Sequence, residues 1–223
     1  MLLRLARQHY KFKHYPCYEI KMNTEDLGNS KILNLLFKPA GLMMESRLRQ
    51  WLMNPVKTLQ GADIQPGQTV LEVGCGTGFF TIPAAELIGD NGCLVAMDPL
   101  SDYTKRVSKK VRAAGLENVR VVKRDALDTG LDASSIDKVL LFGVLPFPFL
   151  PLNRLLPEMH RIMKTEGTLA VWLFPVSGCV PKSILQSGLF TFISKQNGVY
   201  NYRRCSINHN KLLLQGFGCQ HLC

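Results

Sequence analysis

Residues 69–78 read Thr-Val-Leu-Glu-Val-Gly-Cys-Gly-Thr-Gly, an apolar run that breaks into glycines at 74, 76 and 78. A short run of this kind, almost without polar alternation, is what a strand covered on both faces needs. Glycines at alternate positions then let the backbone approach a ligand without Cβ clashes. Thr69–Val73 is therefore predicted as a buried strand and Gly74–Gly78 as a loop. A helix is predicted from Phe79, with its first N–H groups facing the ligand.

The glycine spacing separates ligand classes. A dinucleotide-binding fingerprint places its third glycine at position 79, where this chain has Phe79, so NAD is disfavoured. No G-x-x-x-x-G-K-[ST] run occurs, which removes a phosphate-cradling P-loop.

Further strands are predicted at 93–97, 118–123, 137–142 and 167–173, alternating with helical stretches. That order implies right-handed crossovers and a parallel sheet. The strand at 93–97 ends in Asp98-Pro99, close enough along the chain to lie beside the glycine loop. An ionised Asp accepts hydrogen bonds and can take two hydroxyl protons of a ribose, although the same carboxylate can also cap a turn. The helix predicted between Ser101 and Gly115 has Ser101 as cap and Gly115 as terminator. Tyr103, Val107, Val111 and Ala114 form its buried stripe, and its lysines and arginines point outward. Near the end, Leu189–Ser194 and Val199–Arg203 are β-rich and separated by a segment containing Asn197-Gly198, a hairpin signal.

The stretch Glu72-Val73-Gly74-Cys75-Gly76-Thr77-Gly78 closely resembles motif I of the class I S-adenosylmethionine-dependent methyltransferases, with Asp98 and the Arg124-Asp125-Ala126 segment following in the family's order. The resemblance spans residues 40 to 204. It implies an α/β fold, Rossmann-like and doubly wound, with a mostly parallel seven-stranded sheet and an antiparallel C-terminal hairpin. It also implies S-adenosylmethionine as cofactor, held by Glu72, Gly74, Cys75, Gly76, Thr77, Gly78, Asp98, Pro99, Asp125, Ala126, Gly143 and Val144. In that pattern Glu72 serves the methionine ammonium and Asp98 the ribose. Asp125 takes the adenine amino group, the N–H of Ala126 donates to a ring nitrogen, and Gly143 and Val144 offer backbone. The chain departs from the family at Lys164-Thr165-Glu166-Gly167, where a Lys-Pro-Gly-Gly turn is common, a position remote from the cofactor.

Residues 142–151 contain no Asn-Pro-Pro-Tyr, which argues against DNA adenine or glutamine as acceptors. Phe147 and Phe149, set between prolines, either line an apolar substrate pocket or plug the core. His160 sits in a predicted helix and reads as a surface or satisfied core residue rather than a base. No general base is assigned, because positioning a nucleophile against an activated methyl supplies most of the acceleration.

The net charge of +10 raises nucleic acid as a partner, yet the excess lies at the two ends. Residues 1–22 carry five basic residues and one acidic, and 195–223 carry four and none. In the body, Lys105, Arg106, Lys109, Lys110, Arg112, Arg120, Lys123 and Arg124 read mainly as a solvated face, and no ribonucleoprotein motif accompanies them. Seven cysteines without C-x-x-C pairs point to a reducing cytoplasm, and Cys219, His221 and Cys223 have poor zinc spacing, so no metal is expected. No apolar stretch is long enough for a bilayer span.

The expected organisation is a basic, disordered extension at 1–22, helices at 23–60 acting as a lid, a cofactor-binding domain at 61–205 and a poorly ordered tail at 206–223. Leu48, Trp51 and Leu52 carry the helical spacing of the lid. The start also fits a mitochondrial transit segment or an initiator at Met22. The expected activity is methyl transfer to a small, partly apolar molecule, with quinone-like or other lipid-soluble acceptors as one option. RNA methylation and a cofactor-binding scaffold without catalysis are the alternatives.

Overall fold

The computed structural model of the chain describes residues 54–145, 150–173 and 179–206. Its strands are β1 (Thr69–Val73), β2 (Cys93–Asp98), β3 (Val119–Lys123), β4 (Ile136–Phe142), β5 (Met163–Trp172), β6 (Phe190–Gln196) and β7 (Val199–Arg204). They form one sheet in the order β3-β2-β1-β4-β5-β7-β6. The first five strands pair parallel, and β7 pairs antiparallel with both β5 and β6. This is the Rossmann-like, mostly parallel seven-stranded arrangement that the strand–helix alternation and the family resemblance imply.

Helices cover both faces: α1 (Pro55–Gly61), α2 (Thr81–Ile88), α3 (Ser101–Ala113), α4 (Leu152–Ile162) and α5 (Cys179–Gln186). Side chains of a strand alternate between faces, so neighbours in one apolar run enter different cores. Leu71, Val73, Met97, Val139 and Leu141 join Leu155, Met159 and Ile184 of α4 and α5. Val70, Leu94, Leu140 and Phe142 join Leu59 of α1 and Ala84, Ala85 and Ile88 of α2. Burying a leucine contributes about 1.5–3 kcal/mol, so this two-faced burial is the main stabilising term of the sheet.

Several boundaries and faces differ from the sequence reading. The helix after the glycine loop begins at Thr81 instead of Phe79, because residues 76–80 are spent in turns. On α3 the buried positions are Thr104, Val107 and Val111, with Leu100 ahead of them, while Ala114 is exposed. Thr104 is buried and satisfies its hydroxyl on Ser101 O at 3.0 Å. Ser101 does not cap that helix, since the capping position is Leu100, whose N–H is taken by Asp98. Gly115 does terminate it, with φ +66°, as expected of a left-handed C-terminal residue.

Strand β5 starts at Met163, directly after α4, and not at 167. Its first residues pair only through Ile136↔Met163 before a register shift, so the polar Lys164–Glu166 bulges outward. At the final hairpin both Asn197 (φ +48°) and Gly198 (φ +79°) are left-handed, the geometry a two-residue turn of this hand requires. The strand flanking that turn extends to Gln196, two residues beyond the predicted Ser194.

The expected helices at 23–60 fall inside the described residues only as α1. Leu48, Trp51, Leu52, the basic extension, Phe147, Phe149 and the Cys219–Cys223 segment lie outside the described residues.

Candidate cofactor and acceptor site

Parallel strands put all their following loops at one edge, so the ends of β1, β2, β3 and β4 form a single rim. At the end of β1, Gly74, Gly76 and Gly78 take φ of +70°, +52° and +86°. Such values are left-handed and favour glycine. The loop is bound to β2 by N–H bonds from Gly74 and Cys75 to Met97 O, at 2.8 and 3.0 Å. A Cβ on Gly74 would collide with Cγ1 of Val144, which brings the loops after β1 and β4 together. On the other side Lys110 of α3 donates to Thr77 O at 2.8 Å.

Asp98 ends β2 and is directly joined to the glycine loop. Its Oδ2 accepts from Gly76 N–H at 3.0 Å and its Oδ1 from Leu100 N–H at 2.9 Å. The residue thus also makes the turn-capping bond weighed from sequence. Each carboxylate oxygen has two lone pairs, so one bond apiece leaves each a lone pair for a ligand hydroxyl. Burial pushes the Asp98 carboxyl up to about 6, opposed by those two backbone N–H groups.

Glu72 lies beneath the loop, buried, with Oε2 accepting from the Thr81 hydroxyl at 2.6 Å. Burial raises its carboxyl to about 8; the Thr81 bond opposes this and the nearby Asp98 charge adds to it. Among the described residues no cationic side chain forms an ion pair with Glu72 or Asp98. Two desolvated carboxylates beside a bare-backbone loop suit a ligand that brings its own positive charge and hydroxyl groups. Cys75 is buried in this loop and burial pushes its thiol further up, so it serves as a small packing residue rather than a nucleophile.

Asp125 follows β3, which pairs with β2 through Asp98↔Lys123. Its Oδ1 accepts from Leu127 N–H at 2.9 Å, shaping a tight turn. Ala126 is buried in one apolar cluster with Val73 and Met97. The Gly76, Asp98 and Asp125 positions therefore stand on three consecutive sheet positions of one rim. Pro99 follows directly on this rim. At the end of β4, Gly143 (φ +68°) donates to Trp172 O at 2.9 Å.

His160 lies away from this rim. It is buried on α4 and donates from Nε2 to Cys205 O at 2.8 Å, which makes it a satisfied core residue as expected. Thr81 and Trp172 were not singled out from the sequence, and Lys110 was read there only as part of the solvated basic face, whereas it bonds the glycine loop. Only Thr81, in the first turn after the glycines, had a local signal. A depression of about 530 Å³ lined by Asp90, Cys93, Glu117, Asn118 and Arg120 opens at the opposite edge, where β2 and β3 begin. It has neither the glycine loop nor the paired carboxylates. Among the described residues no His, Cys, Asp and Glu cluster is arranged for a metal ion, and no helix is long and apolar enough to cross a membrane.

Comparison with known proteins matches residues 70–167 to a family model described as a methyltransferase domain. The demethylmenaquinone methyltransferase of Geobacillus stearothermophilus is 34% identical over 106 residues, which is 47% of this chain and 44% of that protein. The demethylmenaquinone methyltransferase of Staphylococcus epidermidis is 33% identical over 118 residues, 52% of this chain and 46% of that one. The chain spans about half the length of the curated relatives it matches. The crystal structure of an S-adenosylmethionine-dependent methyltransferase from Aquifex aeolicus superposes with a TM-score of 0.61 at 22% identity, covering 74% of this chain and 96% of that one. That likeness shows the fold. The sequence match runs from the glycine loop to Gly167, so this part of the chain is similar to methyltransferase domains, on the fold of the class I S-adenosylmethionine-dependent methyltransferases.

Proposed function

We propose that the chain transfers a methyl group from S-adenosylmethionine to a small, partly apolar acceptor of the quinol type. The observation that carries the reading is the Gly76–Asp98 hydrogen bond above the buried Glu72, which sets a bare loop and two carboxylates on one ligand-sized rim. The bound cofactor supplies a methyl on a sulfonium, whose carbon–sulfur bond breaks to a neutral thioether as the acceptor atom attacks in line.

The chain's own residues act by holding. Asp98 grips the ribose hydroxyls through its two remaining lone pairs, and Glu72 offers a carboxylate to the methionine ammonium. Asp125 and the Ala126 N–H address the adenine edge. Gly74, Cys75, Thr77 and Gly78 give backbone, and Val144, in contact range of Gly74, closes the loop from the acceptor side together with Gly143. Phe147 and Phe149 are proposed to add apolar lining. An ionised ring hydroxyl delivers electron density to the ring carbon that takes the methyl, and that carbon's hydrogen then leaves as a proton to solvent as the ring regains aromaticity, so positioning supplies the acceleration and no dedicated base is assigned.

Support for a quinol acceptor comes from relatives named demethylmenaquinone methyltransferase, each matched over about half its length. The test is incubation of the purified protein with methyl-labelled donor and a reduced naphthoquinone lacking the ring methyl, alongside simple phenols. Label in the extracted ring product supports the reading. Calorimetric binding of S-adenosylhomocysteine with no transfer to any small acceptor, RNA or protein in cell extract would leave only the scaffold alternative.

A second reading, RNA methylation, rests on the basic face. Lys105, Arg106, Lys109, Lys110, Arg112, Arg120, Lys123 and Arg124 are all exposed on α3, β3 and the segment that follows. It requires salt-dependent polynucleotide binding, and none at low salt removes it.

A further inference from the structure

We infer that Lys110 is a positioning residue for the cofactor, its ammonium locking the Thr77–Gly78 peptide of the glycine loop beside the amino-acid end of the ligand. The inference rests on the methyltransferase reading above and adds a residue to it. Lys110 lies in the last turn of α3 and is exposed, yet its Nζ donates to Thr77 O at 2.8 Å. Val107, three residues earlier and so on the same side of the helix, is fully buried and anchors the approach. A Cβ on Gly78 would stand 3.3 Å from Cγ2 of Val107 and 3.8 Å from Cδ of Lys110. Helix α3 therefore packs directly on the loop, and the lysine stem lies against it.

The start of the loop is fixed from β2, by the N–H bonds of Gly74 and Cys75 to Met97 O and of Gly76 to Asp98. Lys110 does the same for its end. The Thr77–Gly78 peptide is held at both polar atoms, since the Gly78 N–H donates to Cys75 O at 2.9 Å. With no ammonium on its oxygen this peptide could turn over at little cost, because Gly78, at φ +86°, can adopt either sign of φ. Turning over would aim the Thr77 carbonyl at the Cys75 carbonyl and open the turn. A Cβ on Gly78 would also stand 3.8 Å from Oγ1 of Thr81, the hydroxyl bonded to Glu72. Glu72 is the carboxylate proposed for the ligand ammonium, and the ammonium and carboxylate of an amino acid share one carbon. The locked peptide thus borders the amino-acid end of the cofactor, while the ribose and adenine lie toward Asp98 and Asp125.

The test is calorimetric binding of two ligands, S-adenosylhomocysteine and 5′-methylthioadenosine, which keeps the adenine, ribose and sulfur but lacks the amino acid. Lys110→Met retains a stem and removes the donor; it should weaken S-adenosylhomocysteine about tenfold and leave methylthioadenosine unchanged. The loss should be the same at low and high salt, since a direct bond is screened far less than a distant charge. Lys110→Arg still donates and should restore most of the affinity. In methyl transfer, Lys110→Met should raise the donor KM about tenfold with kcat and the acceptor KM unchanged. Unchanged S-adenosylhomocysteine affinity in Lys110→Met, equal weakening of both ligands, or an arginine variant as weak as the methionine one would overturn the assignment. Wild type that binds neither ligand refutes the cofactor reading instead. Amide exchange at Gly78 then decides the lock: faster exchange in Lys110→Met supports it and unchanged exchange refutes it.

Discussion

Replacing Glu72 by Gln makes the electrostatics of the rim measurable. Glu72 is buried and its carboxyl is pushed up to about 8 from an ordinary value of 4.5. The folded chain therefore holds this proton more tightly than the unfolded chain, and unfolding releases it whenever the pH lies above the unfolded value. The sign follows: this group's contribution is most favourable below about 4.5, falls as pH rises, and levels off above about 8. At pH 7 the penalty is about 3 kcal/mol, from about 1.4 kcal/mol per pH unit above the unfolded value. The glutamine side chain has no proton to lose, and its carbonyl can still accept from the Thr81 hydroxyl. Urea unfolding of both proteins across pH 4.5–7.5 should give similar stabilities at the acid end. At neutral pH the variant should be more stable by about 3 kcal/mol, a melting shift of about 6–12 °C for a chain of this size. Parallel stability curves would refute the assigned burial cost. The same substitution should weaken S-adenosylhomocysteine, because the ligand ammonium loses its anion. It should also abolish the proton release expected of wild type near pH 7 when calorimetry is repeated in buffers of different ionisation enthalpy.

Asp98→Ala should weaken S-adenosylhomocysteine by roughly 1–3 kcal/mol in calorimetry, since two charge-assisted ribose contacts and the Gly76 tether are lost together; unchanged affinity would remove the ribose role. Gly74→Ala should destabilise by roughly 2–4 kcal/mol, combining left-handed strain with the clash on Val144, and Gly74→Ala with Val144→Ala should recover the steric part in a double-mutant cycle of unfolding free energies. Glu158 is held below the usual carboxylate range despite its burial, by bonds from Arg161 and Thr129. Its stabilisation is present above the unfolded value and is lost as pH falls through the lowered one, so Glu158→Gln should cost about 1–2 kcal/mol at pH 7 and progressively less in acid.

The parts of the fold visible in the sequence are those whose physics is local. A doubly covered strand is mostly apolar, and a left-handed loop position favours glycine, so 69–78 announces its own geometry. Asn197-Gly198 does the same for the hairpin. On α3 the predicted stripe shares Val107 and Val111 with the structure but is rotated toward Tyr103 and Ala114. Thr104 counts as polar, although it is buried and its hydroxyl finds a carbonyl one turn back. The early start of β5 was hidden because Lys164-Thr165-Glu166 is polar and exposed. The Lys110–Thr77 bond joins residues 33 apart and the Lys138–Ala62 bond residues 76 apart, with no periodicity linking either pair. A lysine within an apolar strand reads as an exposed interruption, yet Lys138 is buried and burial lowers its ammonium to about 8.

Lys138 belongs to a set of bonds that gives the terminal hairpin a purpose beyond closing the sheet. Its Nζ donates to Ala62 O at 2.6 Å, Asn201 Nδ2 to Gly61 O at 2.8 Å, and Asn197 Nδ2 to Lys57 O at 2.9 Å. Together they capture carbonyls from Lys57, within α1, to Ala62, just past its end. Asn197 is in the rim-side turn, whereas Asn201 and Lys138 lie deeper along their strands, so α1 runs away from the rim. One hairpin thus fastens the leading helix and also presents the glycine beside the indole. This divides the rim into two chemistries: paired carboxylates at β1 and β2, and the packed rings of Phe79, Phe80, Phe142 and Trp172 reaching β4 and β5. The methyl transfer proposed above needs cofactor and acceptor held face to face, and rigid elements on both sides meet that need better than a mobile base would.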